Sequence, residues 1–176
     1  MMLVFGSSGQ VATELREMLP DAVFLGREQA DLSVHMDIGG IIGEIGPEAI
    51  INAAAYTAVD RAEEDEALAL KVNALAPAEM AKAAARLSIP LVHISTDYVF
   101  DGSGETAFAP DAPTAPLGAY GRTKLKGEQT IVAAAPVYAI LRTSWVFSAH
   151  GANFLKTMLR LSETRDHLTV VADQIG

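Results

Sequence analysis

The chain has 176 residues, half of them hydrophobic, which is enough for one domain with a full core and excludes intrinsic disorder. Its 22 acidic side chains against 13 basic ones give a net charge of -9, which excludes a groove for a nucleic-acid backbone. The absence of cysteine excludes disulfides, thiolate metal sites and cysteine nucleophiles, and no metal is expected.

Met1 to Phe5 runs straight into Gly6 with neither a basic n-region nor a long apolar segment, so a soluble, cytoplasmic protein without a membrane partner is the default expectation. Met2 to Phe5 reads as a strand buried on both faces. Gly6-Ser7-Ser8-Gly9-Gln10-Val11-Ala12 follows, then a helical pattern through Leu15, Met18 and Leu19 that Pro20 stops. Strand, glycine turn and helix is the context of a dinucleotide-binding turn. Gly6 makes the turn tight, Gly9 admits a pyrophosphate to the backbone, and the helix start supplies positive potential. Ala22 to Leu25 is a second strand. Beyond it, Arg27 suits a 2'-phosphate and leans the cofactor toward NADP, although Glu28 beside it leaves a solvated loop charge as the alternative. Asp31 and Leu32 precede a weak helix from Ser33 to Ile45, burdened by interior glycines. Ala49 to Asn52 is a third strand, followed by Ala53, Ala54, Ala55, Tyr56 and Thr57, small enough for a flat cofactor to approach and equally ordinary as core filler.

Asp60 is a cap for the next helix, and the acidic run Glu63 to Glu66 complements the helix dipole. A second helical pattern runs from Asn73, a cap or a site residue, to Leu87, with Pro77 in its first turn. Leu91 to Ile94 is a fourth strand, expected beside the first, with His93 facing a helix layer as a core histidine. Ser95, Thr96 and Asp97 then lie at the carboxyl end of the strand, where open parallel sheets bind ligands. A long connection, Asp101 to Ala119, delivers Tyr120-Gly121-Arg122-Thr123-Lys124. A tyrosine and a lysine four residues apart share one side of a helix, so an ammonium there can favour the phenolate and make an acid-base pair. Pro136 ends this helix, and Val137 to Leu141 is a fifth strand leading to Trp145, placed either to stack on a ligand or to pack in the core. Asn153 to Leu161 is a last helix with Phe154, Leu155, Met158 and Leu161 on one face, and Leu168 to Val171 is a sixth short strand. The alternation predicts an α/β fold, a doubly wound parallel sheet of the Rossmann type.

Gly6 to Val11, Asn52 to Asp60, Ser95 to Phe100, Tyr120 to Lys124 and Arg142 to Phe147, taken in order, resemble the dTDP-4-dehydrorhamnose reductases of the extended short-chain dehydrogenase/reductase family. The resemblance spans essentially the whole chain. It implies reduction of the C4 ketone of dTDP-4-dehydro-L-rhamnose by NADPH, with NADH as an alternative cofactor. It further implies Thr96, Tyr120 and Lys124 as catalytic residues, with Tyr120 the proton donor, Lys124 lowering its pKa and holding the nicotinamide ribose, and Thr96 bonding the ketone oxygen. Gly6, Gly9, Gln10, Val11, Arg27, Asp31, Leu32, Ala55, Tyr56, Thr57, Tyr120 and Lys124 would line the cofactor. Thr96, Asp97 and Trp145 would meet the dTDP-linked 4-keto-6-deoxy sugar.

The family also continues beyond a segment like Asp173-Gln174-Ile175-Gly176 into a smaller substrate domain, so by resemblance this chain is expected to be truncated before that domain. Residues 1–176 are therefore expected to be the NAD(P)-binding domain with its catalytic residues, and 143–176 to include the start of the substrate domain. A homodimer is compatible with the resemblance. Two other readings stay open on sequence: a non-catalytic NADP-binding regulatory subunit of the same fold, and a nucleotide-sugar epimerase or dehydratase that recycles its cofactor.

Overall fold

A computed structural model describes residues 1–34 and 36–170. Five strands, β1 (Met2–Phe5), β2 (Val23–Leu25), β3 (Ala49–Asn52), β4 (Leu91–Thr96) and β5 (Tyr138–Thr143), make one sheet in the order β2-β1-β3-β4-β5. Every pairing in it is parallel, which is the doubly wound architecture expected from the apolar runs. The fourth strand does not lie beside the first. β3 takes that place, because only β2 is laid on the far side of β1 before the chain crosses back. The switch point is therefore between β1 and β3.

The helices are α1 (Gln10–Met18), α2 (Ile38–Ile45), α3 (Val59–Glu64), α4 (Glu66–Leu70), α5 (Ala76–Leu87), α6 (Ala119–Ala134) and α7 (Phe154–Ser162). α2 packs on α5 and α5 on α6, so one face of the sheet carries these three in succession. Right-handed crossovers put α1 on the other face. The main core lies under the first group, around Leu3, Phe5, Ile42, Ile50, Met80 and Leu91. No described helix is long and apolar enough to cross a membrane.

Several boundaries differ from expectation, each for a local reason. The helix expected from Ser33 begins only at Ile38, where the Asp37 carboxylate accepts from the Gly40 N–H and so caps the helix. Asp60 lies inside α3, whose N-cap is Ala58; the capping carboxylate in this region is Asp65, which accepts from Leu68 N at 3.1 Å and starts α4. Asn73 caps nothing. A π-helical segment, Lys71–Leu75, joins α4 to α5, and Asn73 sits buried within it. Pro77 suits this junction, since it has no N–H to give the Asn73 carbonyl. α7 is capped by Asn153, but its apolar residues Phe154, Leu155 and Leu159 remain exposed among the described residues. Residues 168–170 form no strand, and Val171 lies outside the described residues, as does the segment from Asp173 to Gly176.

α6 is pressed onto its neighbours by glycine. A Cβ on Gly127 would run into the Asn73 carbonyl oxygen, and one on Gly121 into the Tyr98 carbonyl oxygen. Both obstacles are backbone and cannot swing aside. Gly127→Ala is expected to lower stability by about 1–3 kcal/mol despite the better helix propensity of alanine. Gly43→Ala, in open space on α2, is expected to raise it by about 0.5–1 kcal/mol. Urea unfolding of the two variants checks the opposite signs.

Candidate active site

The carboxyl ends of the strands gather the sequence-predicted residues. Gly6 turns the chain after β1 with φ +104°, and a Cβ there would lie 3.2 Å from the backbone of Ala53 and Ala54 at the end of β3. No L side chain fits that conformation comfortably, so the glycine is required. Gly9 is the N-cap of α1 and provides no side-chain cap, while the space a Cβ would occupy is open. The first-turn N–H groups of α1 thus face a clear approach, which is what an anionic pyrophosphate needs. Gln10 and Val11 form that first turn, and the side-chain Oε1 of Gln10 accepts from Asn153 Nδ2 at 2.9 Å, tying α1 to the start of α7.

Arg27 is exposed and pairs with Asp31 at 3.4 Å. Asp31 also accepts from the hydroxyl and backbone N–H of Ser33, which hold its carboxyl below the usual range, with Arg27 adding to the effect. Leu32 is buried in the main core. Ala55, Tyr56 and Thr57 form the connection after β3, and there Asn73, read from sequence as a cap or a site residue, holds the backbone. Asn73 Oδ1 accepts from Tyr56 N at 2.9 Å, and its Nδ2 donates to Tyr56 O at 3.1 Å and to Thr123 Oγ1 at 3.2 Å. The π-helical segment aims this amide, clamping the Tyr56 peptide to α6.

Thr96 ends β4, and its hydroxyl accepts from Tyr98 N and donates to Asp97 Oδ1, both at 3.2 Å. Tyr120, in the first turn of α6, is largely buried, with its ring edge-on to Tyr98 at 5.6 Å. Burial pushes its phenol above the ordinary value; hydrogen bonding with Thr96 opposes this, and the Asp97 charge adds to it. Asp97, Tyr98, Tyr120 and Trp145 line one open groove of about 1620 Å³. Trp145 is 50% exposed, with φ +51°, and stands edge-on to Phe154 at 5.3 Å. It is neither packed in the core nor stacked on another ring.

Lys124 is placed differently from expectation. Its side chain is 1% exposed, and Nζ donates to the Ile94 carbonyl at 2.7 Å and lies 3.2 Å from His93 Nε2. Burial pushes its pKa down to about 8, with Glu128 opposing. In this arrangement Lys124 is engaged with β4, and the phenol of Tyr120 is raised rather than lowered. His93 is buried and faces α6 as expected, but as a polar partner: its Nδ1 lies 3.0 Å from Asn52 Nδ2, and burial pushes its pKa down to about 2. A second buried group lies beside it. Glu128 accepts from Ser95 Oγ at 2.5 Å and from Arg142 Nη2 at 2.7 Å, while Arg142 donates to the Pro110 carbonyl at 2.9 Å and stacks over Phe100. The long connection between β4 and α6 is thereby fastened to β5. Asn52 and His93 were legible as polar residues inside apolar strands, a pattern that costs free energy unless partners await it, whereas nothing in the polar run around Glu128 singled it out.

The whole chain, residues 1–176, matches the family model described as the RmlD substrate binding domain. A dTDP-4-dehydrorhamnose reductase of Sinorhizobium fredii is 44% identical over 178 residues, covering 99% of this chain and 60% of that protein. Crystal structures of dTDP-4-dehydrorhamnose reductases from Clostridium acetobutylicum and, in complex with NADP, from Bacillus anthracis superpose with a TM-score of 0.93 each. They are 38% and 37% identical, covering 98% of this chain and 63% of theirs. The chain thus spans about 60% of the length of the curated relatives it matches.

The depressed pKa of Lys124 has a consequence for stability. Below about pH 8 the lysine is protonated in both states, and the cost of its burial is present in full. Between pH 8 and about 10.4 only the unfolded chain keeps the proton, so this lysine's contribution should rise by up to about 3 kcal/mol across that window. Urea unfolding from pH 7 to pH 10 should show that rise in the wild type relative to Lys124→Met. Parallel curves for the two would refute it.

Proposed function

Because the chain belongs to the RmlD substrate binding domain family, we propose that it is the dinucleotide-binding and acid-base part of an NADPH-dependent reductase of nucleotide-linked keto sugars. The reaction is reduction of the C4 ketone of dTDP-4-dehydro-L-rhamnose to dTDP-L-rhamnose. The observation that carries this reading is Tyr120: a phenol kept protonated by burial, next to the Thr96 hydroxyl, at the wall of a groove that Asp97 and Trp145 also line. The relatives' reductase names and the NADP in one of them support it.

NADPH, when bound, supplies the hydride. The open helix start at Gly9, Gln10 and Val11 would hold its pyrophosphate, Arg27 and Asp31 would face the adenosine end, and the Ala55–Thr57 connection would run along it. As negative charge develops on the ketone oxygen, Tyr120 gives up its phenolic proton to it and the Thr96 hydroxyl donates a hydrogen bond. Thr96 must turn its proton from Asp97 to do so, which leaves Asp97 free to accept from a sugar hydroxyl. Lys124, one helical turn beyond Tyr120, supplies positive charge beneath the site. Residues 1–176 form the dinucleotide-binding domain in this reading, with Trp145 and the following residues reaching toward the substrate.

The intact protein should consume NADPH only when the dTDP-linked 4-keto sugar is present. Tyr120→Phe should lower kcat by about 10²–10⁴-fold while the dissociation constant for NADPH, measured by fluorescence titration, stays nearly unchanged. Turnover at the wild-type rate in that variant would overturn the role of Tyr120, and sugar conversion without net NADPH consumption would point to an epimerase or dehydratase.

A further inference from the structure

The buried row of polar side chains that ends on Lys124 has a direction that follows bond by bond. Asn52 and His93 are register partners on β3 and β4, and both are sealed from solvent together with Lys124. The Ala54 N–H approaches one side-chain atom of Asn52 at 3.1 Å. A backbone N–H only donates, so that atom is the amide oxygen. The other amide atom is then the NH₂ group, 3.0 Å from His93 Nδ1. An NH₂ group also only donates, so Nδ1 carries no proton. A neutral imidazole without a proton on Nδ1 carries it on Nε2, and Nε2 lies 3.2 Å from Lys124 Nζ. The Nε2–H donates, and Nζ has to accept. An ammonium has no lone pair; the neutral amine has one, and it still has an N–H for the Ile94 carbonyl at 2.7 Å.

We infer that Asn52 and His93 are positioning residues that shape this seat for the neutral amine of Lys124, so that protonating the lysine detaches it from His93. Asn52 sets the tautomer of His93, and His93 sets which form of Lys124 fits. The charged lysine keeps Ile94 as acceptor and turns its remaining N–H groups away from the imidazole, toward the side of the helix on which Tyr120 lies one turn earlier. Only an N–H bond of Lys124 forms or breaks, and the proton is exchanged with solvent. The ionisable groups acting on Lys124 are His93 from β4 and Glu128 from its own helix, and Glu128 is paired with Arg142 of β5. A fold that lowers the proton affinity of Lys124 in this way has bonding as well as burial behind the shift.

This inference goes beyond the reductase reading and does not rest on it, since its test needs no turnover. The chain labelled with ¹⁵N-histidine should show His93, assigned through His93→Gln, as the Nε2–H tautomer, with Nδ1 resonating as an unprotonated nitrogen. Finding the Nδ1–H tautomer would overturn the inference, and this measurement on the wild type needs no variant to fold other than the one used for assignment. Asn52→Asp replaces the donor with a carboxylate that only accepts. In that variant the tautomer should invert to Nδ1–H, and the titration midpoint of Lys124, followed at its ¹³Cε resonance, should move up from about 8 by about one unit or more. An added negative charge alone would raise the midpoint, but an uninverted tautomer in a folded Asn52→Asp protein would overturn the coupling.

Discussion

Lys124 has to be buried, and a buried lysine is tolerated only where partners replace the water it loses. The sheet supplies those partners because parallel pairing puts Asn52 of β3 opposite His93 of β4, on the face that α6 covers. The carbonyl that accepts a hydrogen bond from Nζ belongs to Ile94, the next residue on the same strand. Three elements distant in sequence are thereby held to one register, since sliding either strand by one residue would turn its polar side chain to the opposite face. The paired Glu128 and Arg142 continue the polar layer to β5 and place a countercharge on the same helix.

The second requirement is closeness. For Lys124 to reach β4 while Thr123 reaches Asn73, α6 must lie nearly against the π-helical segment, and Gly121 and Gly127 remove the side chains that would hold it off. The widened turn at Lys71–Leu75 and the missing N–H of Pro77 together leave the Asn73 carbonyl pointing at a helix rather than along its own. The same residue's amide closes on both backbone groups of Tyr56. One asparagine therefore connects the loop after β3, a proposed cofactor contact, to the helix that carries the proposed acid. The helix, the loop and the strand ends form a single packed unit, and a change in one position of α6 is felt at the others.

Much of this was legible in the residues. The five strands stand where apolar runs meet turn residues, and Gly6 and Gly9 sit at a strand-to-helix turn as their spacing demanded. Thr96, Asp97 and Tyr120 meet at one edge because strand ends are where a parallel sheet opens. Less legible was anything that depends on pairing across the sheet: that β3 and not β4 adjoins β1, that His93 meets Asn52, or that Asn73 lies in mid-helix and not at its start. A histidine within Leu91–Ile94 and an asparagine closing Ala49–Asn52 were local oddities whose meaning lay in each other. The rule that a tyrosine and a lysine one turn apart act on one another also proved incomplete, since adjacency along a helix does not say which neighbour wins the ammonium. Here a carbonyl on β4 holds the lysine nitrogen in place of the phenol, with the His93 imidazole beside it.

That competition bears on how an acid at Tyr120 can work at all. A donor to a developing alkoxide must hold its proton at rest, and burial secures this by raising the phenol above its ordinary value. The cost is a weaker driving force for giving the proton up, which Thr96 reduces by favouring the phenolate. The lysine is shifted the other way, to about 8, so the group in this layer that changes charge near neutrality is the amine and not the phenol. A positive charge that appears beneath the helix turn of Tyr120 only when Lys124 is protonated would lower the energy of a phenolate formed in the transition state more than that of the neutral phenol in the ground state. In the proposed reaction the opposed shifts would be complementary: the tyrosine would keep the proton to be delivered, and the lysine would supply a charge that need not be permanently installed in an apolar layer.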